Sequence, residues 1–340
     1  MNNIFQPNYL KYLGLVVLGF LASASVRAQD LHFSQFFETP LLRNPSLAGL
    51  YTGDVRARLL YRNQWNSATA AYKTFAASGE YKTSVGQSDD FLTLGLQLLH
   101  DQAGTVAWTS SHVLPALNYH KSLSSETNRY LSLGFMGGPV QRRLDLSKVT
   151  TESQYYGRGL GENTLTPQYT YFDGTVGMSY SGQLDENPDN NLVVGLAYHH
   201  FTKPKNSFLR DKKVALDPKW VGSVGVKLAV QETGYLNLQA DYSVQGGSRQ
   251  AVMGALYGIK LNQEVDNPQY VLHGGAFLRW NDAFIPVVKL DYRPVSFSFS
   301  YDVNISRLKT ATRGRGGFEA GITYTGFIRE ANYYSNYPRF

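Results

Sequence analysis

The sequence contains no cysteine, and this absence excludes several classes of protein. Without thiols the chain forms no disulfide framework, binds no metal through cysteine and carries no lipid on a cysteine that follows a leader. Long apolar runs are missing as well. Beyond the N-terminal leader, no stretch approaches the roughly 18 apolar residues that a membrane-spanning helix needs. A spanning helix is therefore not predicted.

Motifs for catalysis, metals or cofactors are also scarce. The seven histidines show no ligand spacing, and the adjacent pair His199 and His200 would point to opposite faces of a strand. There is no Gly-x-Ser-x-Gly elbow, and no helix signal follows the glycine-rich stretches 157–161 and 313–317. We predict no enzyme, metal or cofactor. A barrel hydrolase, whose catalytic set leaves no local signature, stays open as a distant alternative.

The chain has 32 basic and 26 acidic residues, and two of the basic ones lie in the leader. Such a small excess argues against nucleic acid as a partner.

The N-terminal leader, residues 1–28, is predicted to be a signal peptide. A polar stretch that includes Lys11 precedes the apolar run 13–21, and small residues follow up to Ala28. The mature chain is predicted to begin at Gln29.

The most informative pattern that is present covers residues 295–305, where apolar and polar residues alternate strictly. Side chains of a strand alternate between its two faces, so this segment has one apolar and one polar face. Its length suits a tilted strand that crosses a bilayer. The same alternation recurs in fourteen segments, which begin near residues 54, 72, 90, 109, 129, 170, 191, 219, 235, 251, 269, 283, 294 and 317.

The connections between these segments alternate in length. Every second one is a short turn, whereas the longest loops, 141–169, 203–217 and 306–316, all fall on the other side. We therefore predict an all-β fold for residues 51–340, a transmembrane antiparallel outer-membrane β-barrel of about 14 strands. A secreted β-sandwich is the alternative, but the polar faces cannot supply its second apolar layer.

Residues 29–50 precede the first strand and are unusually aromatic for a linker, with Phe33, Phe36 and Phe37 close together. A disordered leader rarely carries such residues. We predict a periplasmic N-terminal segment that packs in the periplasmic mouth of the barrel as a partial plug. The alternative is a tethered leader that becomes ordered only on a partner.

Arg56, Arg58 and Arg62 recur at every second or fourth position of the first strand, so they share its inward face. They are predicted lumen residues. They could bind an anionic segment or hold Glu80 or Glu319 across the lumen. Ordinary charge pairing in a polar barrel interior is the other explanation.

Specific motifs add a family resemblance that covers essentially the whole mature chain. The chain resembles the PorP/SprF family at residues 29–36 (QDLHFSQF), 44–49 (NPSLAG), 61–65 (YRNQW), 100–104 (HDQAG), 144–147 (LDLS), 301–306 (YDVNIS) and 337–340 (YPRF). Members of that family are outer-membrane proteins of the type IX secretion and gliding machinery of the Bacteroidetes.

The resemblance implies a non-enzymatic component that supports the export and surface attachment of large adhesins with a C-terminal secretion domain. It also implies contact with type IX periplasmic components. The expected location is the outer membrane of a Gram-negative bacterium, with both termini in the periplasm. A porin-like channel for a small hydrophobic or anionic solute is the alternative function.

The outer loops are the predicted partner-binding surface. Tyr155, Tyr156 and Tyr169 in the longest loop offer large contact area at low entropic cost. Simple cover of the lumen is the alternative role of that loop. Arg313 and Arg315 in the last long loop are also predicted to bind a partner, with lipopolysaccharide phosphates as one anionic group they could meet. A solvated charged loop is the alternative there.

Overall fold

The computed structural model describes residues 30–328, apart from 65–71, 87–88, 125–126, 151, 158–165, 188, 209–213, 262–267 and 308. The predicted signal peptide, Gln29 and the C-terminal residues 329–340 lie outside this description. No helix in the described part of the chain is long and apolar enough to cross a membrane.

The described residues form one closed antiparallel barrel in which each strand pairs with its neighbours in sequence and β1 pairs with β14. The strands are β1 (Val55–Gln64), β2 (Tyr72–Ser84), β3 (Phe91–Ala103), β4 (Trp108–Ser124), β5 (Arg129–Arg143), β6 (Gln168–Gln183), β7 (Asn191–His199), β8 (Lys219–Gln231), β9 (Gly234–Gln245), β10 (Ser248–Lys260), β11 (Tyr270–Arg279), β12 (Ala283–Tyr292), β13 (Val295–Asn304) and β14 (Arg315–Gly326). The predicted fold is confirmed, and each strand begins within three residues of its predicted start.

Alternation places one face of every strand on the lipid side. In β13, Phe297 and Phe299 are half exposed, whereas Ser300 and Asp302 on the other face are buried inside the barrel. The same outward exposure is shared by large apolar residues of other strands, among them Leu94, Leu96, Leu131, Leu133, Phe135, Leu196, Val224, Met253, Phe284, Val288 and Ile322. This continuous apolar exterior is the surface expected of an outer-membrane barrel.

The two ends of the barrel differ, and we name them by their connections. The long-loop end carries connections 144–167, 200–218 and 305–314, and the short-turn end carries tight turns such as 232–233 and 293–294. In outer-membrane barrels the long loops face the outside. The short helices are α1 (Pro40–Arg43), α2 (Glu152–Tyr155) and α3 (Lys309–Thr312), with 3-10 turns at Phe36–Glu38, Pro45–Leu47 and Leu146–Lys148.

Residues 30–54 lie inside the barrel, and we call them the luminal segment. They bond to inward side chains on opposite sides of the wall, including Asn118 of β4, Asp241 of β9 and Glu319 of β14. A chain that reaches all of these strands can do so only from within the lumen. The luminal segment therefore brings together buried polar groups from many strands of the described barrel.

Candidate functional site

The start of the luminal segment is held at the long-loop end by a buried carboxylate. Glu319 accepts hydrogen bonds from two consecutive backbone amides, Ser34 N to Oε1 at 2.7 Å and Gln35 N to Oε2 at 2.8 Å. Arg62 pairs with the same carboxylate at 3.1 Å. The Ser34 hydroxyl donates to Asp302 at 2.8 Å, and Asp302 is also paired with Arg279 at 2.6 Å. This cluster binds the segment mainly through its backbone.

Asp30 forms a second attachment at the same end. Its carboxylate lies 3.2 Å from His200 Nε2 and 3.6 Å from Lys219 Nζ, and its backbone N–H donates to Gln245 at 2.9 Å. Burial opposes the charged imidazolium of His200, but the carboxylates of Asp30 and Asp173 outweigh it and raise the pKa of His200 to about 9. A protonated His200 is therefore held between two carboxylates at neutral pH.

These contacts set the direction of the segment through the barrel. His200 and Lys219 flank the long connection 200–218, so Asp30 lies at the long-loop end. At the last residue of the luminal segment, the backbone N–H of Asp54 donates to the carbonyl of Gly326, which ends β14 at the short-turn end. The segment thus crosses the whole lumen, whereas we had expected it in the periplasmic mouth alone. The reason is that bonding partners for its backbone line the full height of the wall. Its first described residue, Asp30, lies at the long-loop end and not on the periplasmic side that we had predicted for both termini.

The predicted aromatic residues fill apolar patches of the inner wall. Phe36 contacts Phe277 edge-on, with ring centroids 5.3 Å apart, and Phe37 stacks on the same ring at 5.1 Å. Phe33 packs in a separate cluster with Leu60 and neighbouring apolar residues. Such patches are unusual in a lumen that holds water, and their burial favours an occupied interior.

In the middle of the lumen the segment is held by ion pairs. Glu38 lies 2.9 Å from Lys289 and 3.4 Å from Arg58. On the opposite wall, Arg43 donates to Asp241 at 2.7 Å. Ion pairs therefore hold the segment on both sides of the lumen at this height.

Near the short-turn end the wall again bonds to the segment's backbone. Asn118 donates to the carbonyls of Ser46 and Ala48 at 2.7 and 2.9 Å, and His120 lies 2.7 Å from the Ala48 carbonyl. Gly49 has a φ of +83°, and a Cβ there would lie 2.2 Å from Thr93 Oγ1. Only glycine fits this approach, so the sequence of the segment is matched to the wall.

The three inward arginines of β1, Arg56, Arg58 and Arg62, contact both the wall and the luminal segment. Arg56 pairs with Glu80 of the adjacent strand at 2.6 Å, and Glu80 also accepts from the backbone N–H of Gly49 at 2.8 Å. Arg58 donates to the Glu38 carbonyl at 3.0 Å, and Arg62 donates to the carbonyl of His32. Glu80 and Glu319 stand opposite Arg56 and Arg62 on the two adjacent strands, so these pairs are ordinary charge pairs along the wall and do not cross the lumen as considered from the sequence. Arg58 does meet an anionic residue of the segment, Glu38.

The adjacent histidines do not point to opposite faces, contrary to our expectation. His199 is the last residue of β7, and its Nε2 lies 3.2 Å from the carbonyl of Arg43. His200 follows the strand with a φ of +57°, which turns its ring back into the lumen against Asp173 at 2.7 Å. Strand alternation fails here because the strand has ended. Across the described residues, no group of three or more potential metal ligands is found.

The predicted loop tyrosines do not form one cluster. Tyr155 at the end of α2 is 87% exposed and Tyr156 is 64% exposed, with their rings edge-on at 5.4 Å. Tyr169 lies at the start of β6 and donates to Asn206 Oδ1 of the neighbouring loop at 2.7 Å. Tyr155 and Tyr156 therefore present free aromatic surface, whereas Tyr169 helps to join two loops.

Several residues that hold the segment had no recognisable signal in the sequence. Each is a single polar residue at an inward position of a strand whose residues alternate, as in any polar lumen: Asp302, Arg279, Lys289, Asp241 and Asn118. Only the closed register of the barrel shows that they converge on the luminal segment. The alternation of inward and outward positions would have identified these residues as facing the lumen, but not as partners of the luminal segment.

Several solved structures are similar to this chain. They include the toluene transporter TbuX of Ralstonia pickettii (13% identity, TM-score 0.47, covering 84% of this chain and 92% of that one). Others are the toluene transporter TodX of Pseudomonas putida (10%, 0.49, 84% and 92%) and CdiB of Acinetobacter baumannii (9%, 0.42, 80% and 60%). At these identities the likeness concerns the fold alone. A search of curated proteins found no match.

The family assignment comes from the sequence. Residues 25–324 match the family described as type IX secretion system membrane protein PorP/SprF, which is most of the chain and nearly all of the described barrel. The matched region includes both the luminal segment and the three long loops. The chain therefore belongs to the PorP/SprF family of type IX secretion system membrane proteins.

Proposed function

We propose that this protein is a non-enzymatic docking component of the type IX machinery that holds large secreted adhesins at the cell surface. The observation that carries the proposal is the luminal segment, which is bonded to the wall from one end of the barrel to the other. A barrel occupied in this way offers its two faces to partners rather than its lumen to a solute. The outer face would receive the adhesin, and the short-turn face would meet periplasmic components.

The segment acts as a plug in this proposal. Its attachments at Glu319, Asp241 and Asn118 lie on different sides and at different heights of the wall, so the segment occupies the lumen from end to end. The alternative, a channel for a small hydrophobic or anionic solute, requires the segment to move aside. Apolar inner patches around Phe277 would then be the surface that a hydrophobic solute meets.

The docking surface in this proposal is the loop that contains Tyr155 and Tyr156. Replacing both by serine is expected to lower the amount of adhesin on the cell surface about tenfold, because exposed aromatic anchors supply much of the energy of an interface. Surface biotinylation of intact cells followed by mass spectrometry would measure it. The helix α2 lies outside the barrel wall, so the variant should fold normally.

A matched control is Trp280→Ser, which removes an exposed aromatic side chain from the β11–β12 turn at the long-loop end, away from the loop of Tyr155 and Tyr156. Surface display should be unchanged in this control. Equal display in the tyrosine variant and in wild type, at equal amounts of barrel, would contradict the assignment of the loop as the docking site.

A further inference from the structure

The connection between β13 and β14 carries a concentrated, unpaired positive charge. Arg307, Lys309, Arg313 and Arg315 are all exposed, and we call them the basic lip. None of the four forms an ion pair with any described residue. The acidic residue of the neighbouring turn, Asp282, is paired with Arg279 instead. The basic lip is therefore available to an anionic ligand.

The loop that carries these side chains is tied down by hydrogen bonds. The amide of Asn304 donates to the Thr312 hydroxyl and to the Arg315 carbonyl, both at 3.1 Å. The backbone N–H of Gly314 donates to the Lys309 carbonyl at 3.0 Å, which closes the turn after α3. A fixed loop loses little conformational entropy when it binds a ligand.

A bulge turns one member of the basic lip toward the lipid. Asp302 pairs with Gly317, but the next residue, Val303, pairs with Arg315, so Gly316 is the extra residue of β14. In a regular ladder Arg315 would stand opposite Asn304, which is buried inside the barrel. The bulge places it opposite the outward-facing Val303 instead. Bulges commonly redirect a side chain in this manner.

The depth of the basic lip matches the lipid headgroups. Tyr301, Val303 and Ile305 continue the exposed apolar face of β13 up to the start of the loop. Arg307 follows two residues later, at most roughly 7 Å beyond that edge. The polar region of a bilayer begins at the edge of the hydrocarbon and is about 5–7 Å thick in each leaflet, so Arg307 lies within its depth.

We propose that the basic lip binds the phosphate groups of lipid A in the outer leaflet. Arginine suits phosphate because its planar guanidinium donates two parallel hydrogen bonds to the oxygens. The sideways position of Arg315, level with the lipid and away from the mouth of the barrel, fits a lipid ligand better than a soluble acidic protein. This inference does not depend on the docking function.

The test uses the full-length protein in mild detergent, titrated with diphosphoryl lipid A and followed by native mass spectrometry. The double variant Arg313→Gln/Arg315→Gln should bind at least about tenfold more weakly than wild type, since two charge-assisted contacts are lost. Lipid A stripped of its phosphates should bind wild type and variant equally weakly. The matched control Lys203→Gln/Lys205→Gln removes two exposed charges from the other side of the long-loop end and should bind like wild type.

Three outcomes would overturn the proposal. Equal binding of lipid A by wild type and the arginine variant would show that the basic lip is not the binding site. Equal loss in the arginine and lysine variants would mean that diffuse charge, and not the basic lip, attracts the lipid. Binding of soluble polygalacturonate that depends on Arg313 and Arg315, without such dependence for lipid A, would assign the lip to a soluble anionic partner.

Discussion

Replacing Glu319 by glutamine is expected to speed hydrogen exchange of residues 33–37 by about a hundredfold. The carboxylate accepts the backbone N–H groups of Ser34 and Gln35 and pairs with Arg62 in a fully buried site. Glutamine keeps the shape of the side chain but removes its charge. The guanidinium of Arg62 then lacks part of its compensation, and losing one partner of a buried pair costs about 3 kcal/mol or more.

The barrel itself should survive this substitution, because its strand pairing does not involve the side chain of Glu319. Hydrogen exchange with mass spectrometry on the full-length protein gives the result segment by segment. Asp189→Asn is a matched control, since Asp189 pairs with Lys227 and Lys260 inside the short-turn end without touching the luminal segment. If exchange over residues 33–37 were the same in Glu319→Gln and wild type, the carboxylate would not be what retains the segment.

Raising the pH from 6.5 to about 9.5 is expected to release the first residues of the luminal segment. The pKa of His200 is raised to about 9 in the folded protein, above the ordinary value near 6.5. A raised pKa means that the stabilisation is fully present below the unfolded value and is lost as the pH rises through the folded one. Asp30 and Asp173 share this shift, and Asp173 stays on the wall, so only the part due to Asp30 is lost on release and the population of the released state is expected to rise several-fold.

The groups that face His200 determine this window. Asp30 and Asp173 hold the proton on the imidazole, and Lys219 lies 3.6 Å from the carboxylate of Asp30. The transition above pH 6.5 therefore belongs to His200.

Protection of residues 30–32, corrected for the intrinsic pH dependence of exchange, measures this release. His200→Asn serves as the comparison, because asparagine tolerates the left-handed backbone at this position but does not titrate. The variant should show weak protection that is independent of pH. A wild-type protein whose protection stayed constant from pH 6.5 to 9.5, or a variant with the same transition, would contradict the role of His200.

The barrel could be predicted because the pattern it requires, alternation of apolar and polar residues, is visible within each strand. A strand that separates lipid from a polar lumen must alternate, and residues 295–305 and the other segments do so without long interruptions. The alternation of long and short connections then distinguished the two ends. Both signals depend only on neighbouring residues, so a single sequence suffices for them.

The luminal segment was predictable only in part. Its aromatic residues indicated an ordered segment, and Phe36 and Phe37 do pack on Phe277. Its direction and full extent were not, because they depend on side chains that are hundreds of residues distant, such as Glu319 from Ser34. The orientation of the His200 ring was predicted wrongly for a similar reason. Its orientation follows from the end of β7 and a left-handed backbone, which the residue types do not indicate.

Gentle detergent extraction of a tagged full-length protein from its native membrane, followed by mass spectrometry of what co-purifies, tests the central claim most directly. Membership of the PorP/SprF family and an occupied lumen together predict very large surface proteins and type IX periplasmic components in the purified sample. A barrel that purifies without partners and conducts small solutes in a planar bilayer would contradict the docking function.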